Sequence, residues 1–143
     1  MAFSYAKFLV LLAAAASMLA AGQAATVVVG GSEHWRYGFN YTDWALQHGP
    51  FYQNDKLVFK YDPPSGNSPP HTVYLLPSMG SFINCDFRSA QLLANVTQGS
   101  GDGFGFVLTN NWRPLYFACG EEDGKNCKEG LMKFFAVPLP RRS

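Results

Sequence analysis

The chain has 143 residues, is 48% hydrophobic and 15% aromatic, and carries a formal net charge of +1. That length fits one ordinary domain with ample material for a packed core, which excludes a disordered chain. The near-neutral charge offers nothing to attract nucleic acid or an anionic membrane surface.

The first segment reads as an export signal. Lys7 precedes an apolar run over 8–16, and the small residues Gly22, Ala24 and Ala25 follow where a peptidase would cut. The run is short and diluted with alanine, whereas a membrane-spanning helix needs about 20 strongly apolar residues. The expectation is a secretory signal peptide over 1–25, a mature domain over 26–143, and an extracellular destination such as the apoplast or cell wall. Cleavage removes one charged residue, Lys7, leaving ten Lys plus Arg against ten Asp plus Glu. The last residues, Leu139 to Ser143, show no second apolar tail of the kind a glycolipid anchor requires, so the mature chain is expected to carry no membrane anchor. Export gives meaning to two sequons, Asn40-Tyr41-Thr42 and Asn95-Val96-Thr97, which mark Asn40 and Asn95 as glycosylation candidates.

Beyond the signal, apolar runs of strand length lie at 27–29, 57–61, 72–76, 91–96, 104–108, 115–118 and 132–137. They are separated by breaks dense in glycine and proline, such as 63–70 and 99–103, which end strands and cannot continue helices. Seven short strands at this spacing predict an all-β fold, a Greek-key sandwich or barrel. One short helical segment is expected over 42–48, with Thr42 as its cap and Gly49-Pro50 as its stop. The glycine-rich stretch 101–105 precedes a strand with no helix after it, so it reads as a hairpin turn rather than a phosphate-binding loop. No nucleophile motif, His-Glu-x-x-His or phosphate loop is present, and an enzyme is not expected.

Three cysteines, Cys85, Cys119 and Cys127, leave one thiol over in an oxidising compartment, and three pairings are open on paper. Cys119 ends the aromatic run at 115–118. Cys127 lies beyond a polar turn, freer to reach a distant loop, so Cys85 with Cys127 is the favoured disulfide. It would close a loop of about forty residues and stabilise by roughly 3–4 kcal/mol on the chain-entropy argument. Cys119 then remains a thiol beside aromatic rings. A sulfur so placed, joined by an imidazole such as His71 from another strand, is the beginning of a mononuclear copper site. Such a site sets two imidazoles and one thiolate in a plane with a weak axial ligand.

These features resemble the phytocyanins, the plant cupredoxin family that includes stellacyanins, plantacyanins, uclacyanins and early nodulin-like proteins. The resemblance runs from Val28-Val29-Gly30-Gly31 and Trp35, through Tyr41, Trp44-Ala45 and the stretch Phe51 to Tyr61, to His71-Thr72-Val73. It continues at Cys85, at Tyr116-Phe117-Ala118-Cys119-Gly120 and at Cys127 to Lys133. It implies the same Cys85 to Cys127 pairing, a two-sheet sandwich, and one-electron transfer at a type 1 copper held by His71, Cys119, a second histidine and an axial residue.

The chain departs from that pattern where the second histidine should precede the second disulfide cysteine, because Asn126 stands there. A carboxamide is a hard, weak donor, ill matched to a thiolate-copper centre, and its presence is expected to cost several kcal/mol of metal binding. His34 and His48 lie in the N-terminal third, where the resemblance places no ligands, and read as surface or turn histidines. The axial place falls on Leu131 or Met132 depending on register, and of these Met132 alone could contact metal. Any copper would thus rest on His71 and Cys119, with Met132 as a distant axial contact. The favoured expectation is a non-redox extracellular module whose partner is a glycan or protein. The alternative is a copper electron-transfer protein with an altered third ligand and a small redox partner. An immunoglobulin-type sandwich, suggested by few cysteines and a tryptophan, is the weaker fold reading.

Overall fold

The computed structural model describes residues 23–109 and 112–141. The expected signal peptide falls, over residues 1–22, outside the described residues. Among the described residues no helix is long and apolar enough to cross a membrane.

Among the described residues seven strands form in the expected places: β1 Thr26–Val28, β2 Lys56–Phe59, β3 Val73–Leu76, β4 Gln91–Ala94, β5 Phe104–Val107, β6 Leu115–Ala118 and β7 Lys133–Ala136. One sheet has the order β1-β2-β5, with β1 parallel to β2 and β5 antiparallel; the other has the order β4-β3-β6-β7 and is antiparallel throughout. The glycine-rich turn before β5 therefore carries the chain from one sheet to the other and is not a hairpin. Its tightness needs glycine: Gly103 has φ +86°, and a Cβ there would lie 2.8 Å from the Phe59 carbonyl oxygen.

The inner faces of the sheets meet on aromatic rings. Phe117 stacks on Phe134 at 5.1 Å between centroids, Phe59 reaches Phe117 at 5.6 Å, and Trp35 lies edge-on to Phe59 at 5.1 Å. Each such ring contributes about 1.5–3 kcal/mol through burial. Strand β6 is apolar at every position because both of its faces are covered. Phe117 points into this core, while Tyr116 and Ala118 join Leu76, Phe82, Cys85 and Cys127 in a second buried cluster on the outer face of the sheet.

Among the described residues three short helices flank the sheets where a single one is expected: α1 Tyr41–His48, α2 Met79–Asn84 and α3 Lys125–Lys128, with a 3-10 turn at Gly31–Glu33. The cap of α1 is Asn40, whose side chain accepts a hydrogen bond from Asp43 N at 3.0 Å. Thr42 instead lies inside the helix and its hydroxyl donates to the Lys133 carbonyl at 3.2 Å, tying α1 to β7. Helix α2 starts on a reciprocal Ser78–Ser81 box, a local signal that the strand spacing outweighed.

Candidate metal centre

Three elements converge at one end of the sandwich. His71 leaves the rigid Pro69-Pro70 step just before β3, and Cys119 follows the last residue of β6. Antiparallel pairing sets Tyr74 opposite Ala118, so the residues before β3 run alongside those after β6. Asn126 comes from α3, held in place on its next residue by the disulfide Cys127–Cys85, whose Cα atoms are 5.9 Å apart across 42 positions. Cys119 is the free, buried cysteine.

The Cys119 sulfur sits in a ring of donors. Thr72 N–H lies 3.4 Å from Sγ and the Asn126 Nδ2 amide 3.5 Å, while the Thr72 hydroxyl, at 3.9 Å, accepts a hydrogen bond from Gly120 N. His71 Nδ1 is 3.8 Å from the sulfur. Asn126 Nδ2 is also 3.2 Å from His71 Nδ1. One amide nitrogen thus has two hydrogens and two acceptors, the imidazole and the sulfur, which accounts for both. Receiving that hydrogen leaves Nδ1 with its lone pair and puts the ring proton on Nε2.

Burial pushes the Cys119 thiol above the usual thiol range, with the surrounding hydrogen bonds pulling partly back. Burial likewise pushes His71 below the usual histidine range. Thiol, imidazole and carboxamide therefore form a neutral, hydrogen-bonded group at neutral pH. Among the described residues, no buried side-chain nitrogen or oxygen lacks a partner.

The fit to copper divides along the donor set. The 3.8 Å between His71 Nδ1 and Cys119 Sγ is less than the roughly 4.3 Å sum of typical metal–nitrogen and metal–sulfur bonds, so one ion could touch both. The carboxamide does not fit: its nitrogen has no lone pair to give, and it stands where it bonds both remaining ligands to itself. Among the described residues no group of three or more His, Cys, Asp or Glu is arranged to hold a metal ion. Met132 is fully buried in the same core cluster as Cys119, and its carbonyl accepts from Cys119 N at 3.0 Å. Leu131, with φ +61°, is 40% exposed.

Neither of the other histidines bonds to this group. His48 stacks on Trp44 at 5.1 Å and closes on the Trp44 carbonyl at 2.9 Å near the end of α1. His34 is exposed, on a cleft whose inner wall includes His71. Thr72 is the participant that sequence reasoning passed over; its position next to His71 on a strand edge was the available signal. Of the two sequons, Asn95 and Asn40 are both exposed, with Asn40 engaged as the α1 cap and Asn95 Oδ1 accepting from Thr97 N and its hydroxyl at 3.0 and 2.9 Å.

No protein-family model and no curated protein matches the chain. Solved structures do. Cucumber basic protein, a blue copper protein, is 26% identical with a TM-score of 0.60, matching 80% of this chain and 100% of its own. Cucumber stellacyanin with Cu2+ is 22% identical with a TM-score of 0.63 over 84% of this chain and 100% of its own. Spinach plantacyanin is 22% identical with a TM-score of 0.52 over 80% of this chain and 99% of its own. The latter two speak for the fold. In its two-sheet sandwich the chain shares the all-β, cupredoxin-like fold of these proteins along nearly their whole length, and its sequence is similar to that of the cucumber blue copper protein.

Proposed function

We propose that this is a secreted phytocyanin-like domain that has given up type 1 copper chemistry and serves as a binding or structural module of the extracellular matrix. The supporting observation is Asn126 Nδ2, set 3.2 Å from His71 Nδ1 and 3.5 Å from Cys119 Sγ. A hydrogen-bond donor between two ligands replaces the ion that would otherwise join them, so the loop end stays ordered without metal. Removing that donor would leave buried acceptors unpaired, at about 1–3 kcal/mol.

The test uses the mature chain purified from a secreting host, with bound metal measured before and after Cu(II) addition and dialysis. The expected result is far less than one copper per chain and no intense visible band. A ratio near unity with such a band contradicts the proposal. It would favour the second reading, electron transfer through His71 and Cys119 with an altered third ligand. That reading draws support from the 3.8 Å spacing of those two atoms and from the cucumber relative described as a blue copper protein.

A further inference from the structure

The Asn126 amide fixes which nitrogen His71 presents on its far side. Nδ1 accepts from Asn126, so the nitrogen left for the outer edge of the ring is a protonated Nε2. It has no partner among the described residues, and no buried side-chain nitrogen there is unpartnered, so Nε2 is reached by solvent. His71 lines a cleft of about 340 Å³, at the lower end of the range for small-molecule sites.

The walls of that cleft are tied to one another. Trp35 N donates to the Lys60 carbonyl at 2.9 Å and Trp35 Nε1 to the Thr72 carbonyl at 3.0 Å. Tyr61 N donates to the Gly99 carbonyl at 3.0 Å, and the Tyr61 hydroxyl to the Asn95 carbonyl at 2.5 Å. Gly99 lies so close to the Tyr61 ring that a Cβ would sit 2.3 Å from it. At the lip, His34 has φ 57° and ψ −160°, a backbone region that is essentially glycine's, and the Tyr41 hydroxyl holds its carbonyl. Such a preformed cleft loses little conformational freedom when a ligand enters.

Its chemistry selects the ligand. Arg36 and Glu33 are paired with each other at 2.7 Å, which leaves Lys60 and Asp62, among the described residues, as one free cation and one free anion of the lining. The lining is therefore balanced and holds no preference for an anion. The Ser68 hydroxyl adds a group that can both give and receive hydrogen bonds, and the Ser100 hydroxyl, which donates to the Thr97 carbonyl at 3.0 Å, adds one that can receive. A ligand with neighbouring hydroxyls matches this, each one accepting from Lys60 or His71 Nε2–H while donating to Asp62 or a serine oxygen.

We propose that the cleft beside His71 is a binding site for a short neutral oligosaccharide, with His71 Nε2–H as a donor that the Asn126 amide holds in place. This rests on the copper-free reading of the same site, since a metal on Nδ1 would supersede the amide. Trp35 and Tyr61 are buried and offer no ring face for stacking, so hydrogen bonds carry the recognition.

The test is a titration of the 15N-labelled full mature chain with cellotetraose, followed through backbone amide shifts and the His71 ring nitrogens, with a galacturonate tetramer in parallel. The expected result is saturable shifts at Lys60, His71 and Gly99 to Gly101 with the neutral probe, and a ring spectrum of Nε2–H with bare Nδ1. Lys60→Ala, at a side chain outside the core, should weaken binding roughly ten-fold, the worth of a hydrogen bond to a charged group. Shifts with the acidic probe alone, shifts mapping to another face, no shifts at all, or an Nδ1–H tautomer each overturn the proposal. Copper addition to the same sample separates the two readings. A visible band defeats the copper-free reading itself, whereas no band and no cleft shifts defeat the oligosaccharide proposal alone.

Discussion

The aromatic core and the ligand end lie next to each other in the molecule and have different dependences. In the core, Trp35, Phe59, Phe117 and Phe134 contact one another between the sheets, and nothing in those contacts refers to a metal. At the ligand end, the arrangement of His71, Cys119 and Asn126 is set by a few hydrogen bonds and one disulfide. The contrast separates what holds the fold, the burial of rings, from what orders the group at the ligand end, a few hydrogen bonds and a disulfide.

The largest effect is expected in the core. Phe117→Ala should cost about 3–5 kcal/mol, through lost burial and a cavity the stacked neighbours cannot close. Urea unfolding followed by tryptophan fluorescence measures it. Replacing both Cys85 and Cys127 by serine should cost about 2–5 kcal/mol. It should also free α3, so that backbone amide shifts spread through 120–131 while those of β2 and β5 stay put. Asn126→Leu should cost about 1–3 kcal/mol, since His71 Nδ1 and the Cys119 sulfur lose their shared donor. The same urea curves report it, and a native-state thiol titration should still find Cys119 unreactive until denaturant is added.

The smallest effect is silent at neutral pH. Burial pushes Tyr41 up to about 12 and Tyr61 up in the same direction. The folded chain therefore keeps phenolic protons that the unfolded chain releases above about pH 10. Stability should be unaffected by these groups below that pH and fall as pH rises toward 12. Tyrosinate absorbance, read with and without denaturant, checks the sign: both phenols should ionise late in the folded state.

Much of this was legible in the residues. The seven apolar runs mark the strands because aromatic and β-branched residues suit a pleated, half-buried surface. The odd cysteine count pointed to a leftover thiol, and the disulfide joins the pair that spacing favoured. Other features depend on what the chain brings together from afar. Thr42 looked like a cap by type, but Asn40 takes that place because Tyr41 must be buried at the first helical position, and the Thr42 hydroxyl then faces Lys133. Helix α3 lies in a stretch that reads as a charged turn, and its single turn forms with the Cys127 disulfide fastening it. The double hydrogen bond of the Asn126 amide joins residues 55 and 7 positions apart, which no local pattern encodes.

Copper titration of the parent chain alongside Asn126→His, read at the thiolate charge-transfer band, decides whether Asn126 keeps copper out. A featureless parent and an intense band with near-stoichiometric copper in the variant are expected, because the imidazole supplies a donor beside His71 and Cys119. A parent that develops the band at full strength would contradict that role of Asn126.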